Sequence, residues 1–253
     1  MNLNRASFHA SKQRGLTLIE LLVVLIIITG IAGIVLPIMP QVDRRTKGST
    51  GGGNMREVVK AIEMHRGANG SYPDEWDSLI DSNDITAATL DIVTQAVGSG
   101  NGPAIVTALT AAGITTAYEH DDFTDDDVSQ TFDGLTNTSG LVNELSTNVA
   151  ILDQDGIDSL GLEDTGTGTE DTLAYVAFGL GRENTMIGDT IVDAPIRFFE
   201  GADNPINSYG RWIVVFAVPV DTNEPLRLAS IAGIRNNALE SVDAHIERFY
   251  QSL

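Results

Sequence analysis

The stretch Gly15-Leu16-Thr17-Leu18-Ile19-Glu20 stands at the head of a long apolar run. The sixteen residues from Leu21 to Leu36 carry no charge and are mostly Leu, Ile and Val, and extending the run to Met39 gives nineteen residues. As an α-helix with a rise of about 1.5 Å per residue, this run would nearly cross the hydrocarbon core of a bilayer, which is about 30 Å thick. The sequence therefore predicts a transmembrane helix.

Glu20 is the only charged residue between Gly15 and Met39. Driving a carboxylate to the centre of a bilayer costs about 2.5–3.5 kcal/mol on insertion scales. A membrane helix usually keeps such a residue for a function, so we expect Glu20 to have a specific partner.

Several kinds of N-terminal segment combine basic residues with an apolar run. A cleavable secretory signal is a poor match, because its apolar region spans about 7–15 residues and ends at a small-residue cleavage site; here Pro37-Ile38-Met39-Pro40 follows instead. A plain membrane anchor explains neither Glu20 nor Gly15. The sequence Lys12-Gln13-Arg14-Gly15 followed by Leu16–Leu22 resembles the prepilin-type leader of type IV pilins and type II secretion pseudopilins.

This resemblance implies that residues 1–15 are a leader, which a prepilin peptidase removes by cleavage between Gly15 and Leu16. The new N-terminus at Leu16 would then be methylated. Glu20 would pair with the amine of Leu16, on its own helix or in a neighbouring subunit, because an unpaired buried carboxylate is costly. Three residues are expected to loosen the helix: Gly30, Gly33 and Pro37.

The chain of 253 residues is strongly acidic, with a formal net charge of −20 that becomes −23 without the leader. Phosphate binding needs clustered Lys and Arg, so we do not expect nucleic acid as a partner. The absence of cysteine excludes disulfides, thiol catalysis and zinc–thiolate sites. The acidic excess itself has two interpretations, a solvated, self-repelling surface or divalent cation binding.

Two basic clusters flank the apolar run, namely Arg5, Lys12 and Arg14 before it and Arg44, Arg45 and Lys47 after it. The positive-inside rule compares such clusters, and their equal counts weaken any orientation based on charge alone. The resemblance decides the orientation, because a prepilin-type leader is cut on the cytoplasmic side. It implies a single-pass inner-membrane protein with its N-terminus in the cytoplasm before processing and its C-terminal domain in the periplasm.

The apolar segment, residues 16–40, is followed by residues 41–54, which contain three consecutive glycines. Each glycine is about 1 kcal/mol less favourable than alanine inside a helix, so we expect a hinge or a locally melted stem here. A stem helix over residues 55–66 follows, as part of a periplasmic domain spanning 55–253. Apolar residues at helical spacing support this helix: Met55, Val58, Val59 and Ile62.

The sequence Asn69-Gly70-Ser71-Tyr72-Pro73 resembles the stretch that ends the stem helix of major pseudopilins. The resemblance implies that Tyr72, Trp76 and Leu79 cap the core beside the stem. An aromatic binding site is the alternative interpretation.

Residues 85–171 are an insertion relative to compact pseudopilins. The stretch Ile85–Val93 predicts a helix ending near Gly98, and Ala104–Ala112 predicts a second helix with Pro103 at its first position. The remainder is acidic and rich in Gly, Thr, Ser and Asn, which predicts loops.

Asp153, Asp155 and Asp158 are candidate ligands for Ca²⁺, because carboxylates and a glycine alternate in Asp153-Gln154-Asp155-Gly156-Ile157-Asp158. The stretch fails the EF-hand template, since its glycine comes too early and no glutamate closes it. A solvated acidic loop is the alternative, and we expect no other cofactor.

Residues 172–234 predict β-structure, and residues 236–253 predict a C-terminal helix. The strand candidates are Leu173–Phe178, Ala194–Phe199, Arg211–Val218 and Leu226–Ala232. A small sheet laid on the stem helix would bury both apolar faces. The predicted fold is therefore α+β and pilin-like, a long N-terminal helix packed against a C-terminal antiparallel sheet with an inserted helical and acidic-loop region.

No stretch matches a common catalytic motif such as G-x-S-x-G, H-E-x-x-H, a P-loop or a Rossmann fingerprint. Gly179-Leu180-Gly181 lacks the third glycine of a dinucleotide-binding turn. We therefore expect the chain not to be an enzyme.

Together these features predict a structural subunit of a type II secretion pseudopilus that assembles through its N-terminal helix. The expected partners are copies of itself, other pseudopilins, the prepilin peptidase and methyltransferase, the inner-membrane assembly platform and the lipid bilayer. One alternative is a type IV pilin or minor pilin for adhesion, motility or DNA uptake. Another is a membrane-tethered periplasmic binding or enzymatic domain.

Overall fold

The structure is a computed structural model. It describes residues 18–35, 39–81, 84–85, 91–120, 138–142, 148–163, 173–195, 209–221, 224–236 and 238–251. The chain divides into a first unit, residues 1–45, and a second unit, residues 46–253.

Helices and strands alternate along the described residues. The helices are α1 (Leu18–Val35), α2 (Met39–Asn69), α3 (Gly102–Ala111), α4 (Gln154–Ser159) and α5 (Val242–Gln251). The strands are β1 (Trp76–Asp77), β2 (Ile80–Asp81), β3 (Asp84–Ile85), β4 (Ile92–Ala96), β5 (Ala117–His120), β6 (Thr138–Val142), β7 (Asn148–Leu152), β8 (Leu173–Gly179), β9 (Ile213–Pro219), β10 (Arg227–Arg235) and β11 (Ala238–Ser241).

Helix α1 lies within the predicted apolar segment 16–40, of which residues 16–17 and 36–38 lie outside the described residues. Its Leu, Ile and Val residues are distributed around the whole helix. In the part of the chain that the structure describes, no helix meets the length and apolarity that crossing a membrane requires.

Helix α2 runs without a break from Met39 to Asn69, through the three glycines where the sequence predicts a hinge. The reason is the close approach of α5. A Cβ at Gly51 would clash with Nε2 of His245, and one at Gly52 would lie only 3.0 Å from Cγ1 of Ile246. The glycines therefore let α5 lie directly against α2, which offsets their low helix propensity.

The predicted stem helix over residues 55–66 lies within α2, which begins earlier, at Met39, and ends later, at Asn69. Gly70 follows with φ of 75°, the left-handed conformation that commonly ends helices. Three residues of the predicted stripe are buried, namely Met55, Val58 and Ile62, whereas Val59 is 37% exposed.

Nine of the described strands form one sheet. Its main path runs β11-β10-β9-β8-β1-β5-β6, and β7 joins β8 and carries β4 along its other edge. The described strand pairs are antiparallel except β1 with β5, which is parallel. The longest ladder joins β8 and β9, from Leu173 opposite Pro219 to Gly179 opposite Ile213.

Every residue of β9 is buried, because both faces of the sheet are covered. Val214, Phe216 and Val218 share one hydrophobic cluster with α2 and α3. Ile213, Val215 and Ala217 belong to a second cluster. This second cluster also contains residues of β4, β7 and α4, which come from the inserted region: Ile92, Ala150, Leu152 and Ile157. The predicted two-layer arrangement of sheet and stem thus gains a further layer.

The inserted region is less helical than predicted. The helix expected from Ile85 is not seen where the structure describes this stretch, because Ile85 ends β3 and Ile92–Ala96 form β4, whereas residues 86–90 lie outside the described residues. Strand β4 pairs with β7 from Ile92 opposite Leu152 to Ala96 opposite Asn148. The strands β5 and β6 also come from this region. The second predicted helix is confirmed as α3, with a proline in its first turn.

Two boundaries near the C-terminus also differ from the prediction. The strand expected over Ala194–Phe199 is not seen at Ala194 and Pro195, and residues 196–199 lie outside the described residues. The C-terminal helix begins at Val242 rather than at 236, because β11 first pairs with β10 from Ala238 opposite Arg235 to Ser241 opposite Ala232.

Asp74 joins three segments at the corner that follows α2. Its Oδ1 accepts hydrogen bonds from the backbone N–H groups of Thr115 (2.8 Å) and Thr116 (3.0 Å), which lead into β5. Its backbone N–H donates to Oγ1 of Thr185 (2.8 Å), and its carbonyl oxygen accepts from Nδ2 of Asn184 (3.0 Å). Burial opposes the charged form, but the donors to the carboxylate outweigh it, so the pKa of Asp74 is lowered.

The glycine contact predicts opposite effects of one substitution at neighbouring positions. Gly51→Ala should destabilise the protein by about 1–3 kcal/mol, because the added methyl group displaces a His245 ring whose Nδ1 lies 3.1 Å from Oε2 of Glu240. Gly53→Ala is the matched control, since a Cβ there meets nothing within 4 Å. This control should gain about 0.5–1 kcal/mol from helix propensity.

The measurement is thermal unfolding of the full chain in non-ionic detergent, followed by circular dichroism. His245→Ala should remove most of the difference between the two alanine variants. Equal stabilisation by Gly51→Ala and Gly53→Ala would mean that α5 does not lie against α2.

Asp74→Asn should lower the free energy of unfolding by about 1–3 kcal/mol at pH 7, because a charged acceptor of several hydrogen bonds is lost. The lowered pKa means that the carboxylate stabilises the folded state above its reference value of 3.8, and that this contribution disappears as the pH falls through the folded pKa. The stability gap between wild type and Asp74→Asn should therefore narrow below about pH 4.

The check is thermal unfolding at pH 7, 5 and 3, with Asp155→Asn as the control because Asp155 is exposed on α4. A gap that stays constant between pH 7 and pH 3 would contradict this role of Asp74.

Candidate functional site: the N-terminal helix

Glu20 lies in the first turn of α1, which begins at Leu18. A carboxylate in this position interacts favourably with the partial positive charge of the helix N-terminus. Glu20 is exposed to the surroundings of the helix. Gly15 and Leu16 lie outside the described residues, so the cleavage site and the pairing of Glu20 with the Leu16 amine stay predictions.

The side chains of α1 form an exposed apolar surface. The large apolar side chains from Leu18 to Ile31 are exposed by between 47% at Val24 and 83% at Leu18. Fully burying one such side chain is worth about 1.5–3 kcal/mol, so covering this surface releases a large free energy. An apolar surface of this extent marks a site of interaction with other helices or with lipid.

Thr29 does not interrupt this apolar surface. Its hydroxyl donates to the carbonyl oxygens of Leu25 (2.7 Å) and Ile26 (3.0 Å), which satisfies the donor inside its own helix. This bond lets a polar residue face an apolar environment at little cost.

The three residues expected to loosen the helix differ in what the structure describes. Helix α1 continues through Gly30 and Gly33 to Val35, and a Cβ at Gly30 would meet nothing within 4 Å. Pro37 lies outside the described residues. Helix loosening at these positions stays a prediction.

The aromatic residues of the corner after α2 pack inside the core. The Tyr72 ring meets the Phe216 ring edge-on at 5.1 Å between centroids, and the Trp76 ring does so at 5.7 Å. The Tyr72 hydroxyl accepts a hydrogen bond from Nη1 of Arg66 (2.9 Å), and Nε1 of Trp76 donates to the Pro73 carbonyl oxygen (2.7 Å). Tyr72 and Trp76 thus cap the core beside α2 as predicted, whereas Leu79 belongs to the cluster on the other side of the sheet.

The candidate calcium ligands serve the short helix α4. Oδ1 of Asp153 accepts from the backbone N–H of Gly156 (2.9 Å) and so caps its N-terminus, and Oδ1 of Asp158 accepts from Nε2 of Gln154 (3.0 Å). Asp155 is exposed in the first turn of α4. Across the described residues, no three or more His, Cys, Asp or Glu side chains are grouped so that they could hold a metal ion.

Asp91 is a buried carboxylate that sequence reasoning missed. It is 4% exposed, and its Oδ2 accepts from the backbone N–H of Leu239 in β11. Burial raises the pKa of Asp91, and the nearby charges of Asp153 and Asp155 raise it further. The carbonyl oxygen of Asp91 also accepts a hydrogen bond from the N–H of Asp153 (3.1 Å), so this residue fastens the start of α4 to β11.

A second buried polar group explains the Gly179-Leu180-Gly181 stretch. The Tyr209 hydroxyl donates to Oδ2 of Asp77 (2.5 Å), and burial with the neighbouring negative charge raises the pKa of Tyr209 well above its usual value. A Cβ at Gly179 would clash with Tyr209, and one at Gly181 would clash with Asp77. These glycines therefore make room for a buried hydrogen bond.

Comparison with known proteins relates the N-terminal segment to a family motif. Neither the curated proteins nor the solved structures contain a match to the chain. Residues 10–36 match the family model described as the prokaryotic N-terminal methylation motif, which is characteristic of type IV pilins and pseudopilins. The matched residues include Gly15, Leu16 and Glu20 and the whole of α1. The chain therefore carries an N-terminal motif of the kind found in type IV pilins and pseudopilins, and this match supports a type IV pilin-like protein.

Proposed function

We propose that the chain is a structural subunit of a type II secretion pseudopilus. The methylation motif at residues 10–36 carries the pilin-like part of this proposal. The choice of the secretion branch rests on the Asn69-Gly70-Ser71-Tyr72-Pro73 corner, whose sequence resembles that of major pseudopilins. The packing of Tyr72 and Trp76 against Phe216 supports it by giving this corner a defined structural role.

The precursor is anchored in the inner membrane through the segment that contains α1, with the second unit in the periplasm. The exposed Leu, Ile and Val side chains of α1 support this anchoring, because lipid is a favourable surrounding for them. The hydroxyl of Thr29, satisfied within the helix, is equally compatible with lipid.

Assembly exchanges lipid contacts of α1 for contacts with α1 of other copies. After cleavage between Gly15 and Leu16, the new amine of Leu16 and the carboxylate of Glu20 carry opposite charges. Pairing between neighbouring subunits neutralises both where water is scarce, and a subunit in the wrong register leaves a buried charge unpaired. Glu20 thereby selects the register that the apolar side chains do not define.

The role of the second unit in this proposal is structural rather than enzymatic. The carboxylates of Asp74, Asp77 and Asp91 each form hydrogen bonds that join separate segments of the fold. Calcium binding stays a prediction, and the bonds of Asp153 and Asp158 within α4 offer an ion-free role for these carboxylates.

Glu20→Leu tests the assembly role. The variant should insert into the membrane and be processed as the wild type is, while filament yield falls at least about tenfold, because breaking a buried charge pair costs several kcal/mol. Thr29→Val is the control, since it also removes a polar group from α1 but leaves the charge of Glu20 in place. The measurement is the sedimentable filament fraction after shearing, together with secretion of a reporter cargo.

Normal filaments from Glu20→Leu would refute the role of this carboxylate. Filaments that support twitching or DNA uptake, with no effect on secretion, would instead place the chain among the type IV pilins.

Gly15→Leu tests the cleavage site. Wild-type protein purified from its native membrane should have the mass of residues 16–253 plus one methyl group, whereas Gly15→Leu should keep the mass of the full chain. Gly30→Leu is the control, because it makes the same change outside the cleavage site. A wild-type protein that keeps residues 1–15 in cells with active prepilin peptidase would contradict the processing scheme.

A further inference from the structure

A groove of about 660 Å³ lies between α3 and the connection from β9 to β10. One wall is formed by small side chains of α3, Ala104, Ala108 and Ala111. The opposite wall is formed by residues 219–221, where β9 ends, and residues 224–226, which precede β10, and it carries two exposed carboxylates, Asp221 and Glu224. The groove therefore combines an apolar interior with an acidic rim.

The processed chain contains one segment with the complementary character. Its 12 basic residues are dispersed except at Arg44, Arg45 and Lys47, and no other window of four residues in residues 16–253 holds two. This segment also carries Val42, and Asp43 leaves residues 43–47 with a net charge of +2. Its apolar and basic residues match the interior and the rim of the groove.

Within the second unit, the groove lies at one end. Lys47, near the start of that unit, lies at the opposite end. Gly51 of α2 faces His245, whose ring lies 6.3 Å from that of Trp212, just before β9 begins. The groove includes Pro219, where β9 ends. Lys47 precedes Gly51 by four residues of the same helix. A contact between opposite ends of identical subunits repeats from copy to copy and generates an open filament.

We propose that the groove receives residues 42–47 of a second copy of this chain, as a head-to-tail contact within the filament. The inference rests on the proposed function, since it requires copies to stand side by side. The contact would also reduce the electrostatic repulsion between copies, because processed chains each carry a charge of −23. Placing the densest basic cluster of one copy at an acidic rim of the next replaces part of that repulsion with attraction.

Disulfide cross-linking tests the contact, and the absence of native cysteine removes any background. A full-length chain carrying Arg45→Cys and Asp221→Cys should give a ladder of covalent oligomers when its filaments are oxidised. The control pairs Arg45→Cys with Asp158→Cys on α4 and should give no ladder. Filaments without a ladder in the first variant, a ladder of equal strength in the control, or a disulfide within one copy would each overturn the proposal.

Charge reversal supplies a second readout. Arg44→Glu with Arg45→Glu, or Asp221→Lys with Glu224→Lys, should each lower filament yield about two- to fivefold, as expected for exposed ion pairs, and added salt should shrink the effect. Combining all four substitutions should restore the yield. Glu57→Lys with Glu63→Lys changes the charge equally at exposed positions of α2 and should not lower the yield.

These outcomes separate the two proposals. Normal filaments from both reversal variants, or no rescue in the combination, would overturn the groove contact and leave the pilin-like assembly intact. Failure of the wild-type chain to form filaments would overturn both.

Discussion

The central strand β9 is buried on both of its faces, and the second unit is organised by the need to cover it. Its even-numbered residues Val214, Phe216 and Val218 pack with α2 and α3, and its odd-numbered residues pack with β4, β7 and α4. Phe216 is the centre of this arrangement, because the rings of Tyr72, Trp76 and Phe178 all meet it. A stem helix and a C-terminal hairpin alone would leave one face of β9 in water, so the region between them is part of the core.

Three carboxylates fasten separate segments of this core to one another. The half-buried Asp74 joins the corner after α2 to the start of β5 and to the turn around Thr185. The buried Asp77 accepts a hydrogen bond from the Tyr209 hydroxyl. The buried Asp91 accepts one from the backbone N–H of Leu239 in β11. Taking a carboxylate out of water is tolerable only where donors replace the water, and each of these groups has them. The acidity of the chain is thus partly structural at these junctions.

The sequence predicts the elements whose signal is local. Helical spacing places Met55, Val58 and Ile62 on the inner face of α2, and a proline followed by alanines marks α3. The helical state of the three glycines from Gly51 to Gly53 is different, because it depends on contacts with α5, which lies far along the chain. The low helix propensity of glycine favours a hinge at these positions, but packing against α5 stabilises the helix.

The strand β4 escapes prediction for the same reason. Ile92 and Val93 have strand propensity, but the alanine-rich residues before them favour a helix. The pairing with β7, which lies far along the chain, stabilises the strand. The double burial of β9, by contrast, has a local signal. Its uninterrupted apolar run is typical of a strand covered on both faces, whereas a sheet with one solvated face alternates apolar and polar residues. At the N-terminal site the motif is local and the family match confirms it. The pairing of Glu20 stays a prediction, because its expected partner, the Leu16 amine of its own helix or of a neighbouring subunit, lies outside the described residues.

The exposed surface of α1 explains why further contacts are needed for an ordered assembly. Hydrophobic burial is strong but non-directional, and the apolar residues of α1 surround the whole helix, so they favour association without defining one register. The acidic excess of the chain opposes association at every register. A defined filament therefore needs contacts that are both attractive and specific in position, and opposite charges at fixed places meet that requirement. In the proposed filament, Glu20 would provide such a charge at one end of α1, and the acidic rim of the groove would provide another on the second unit.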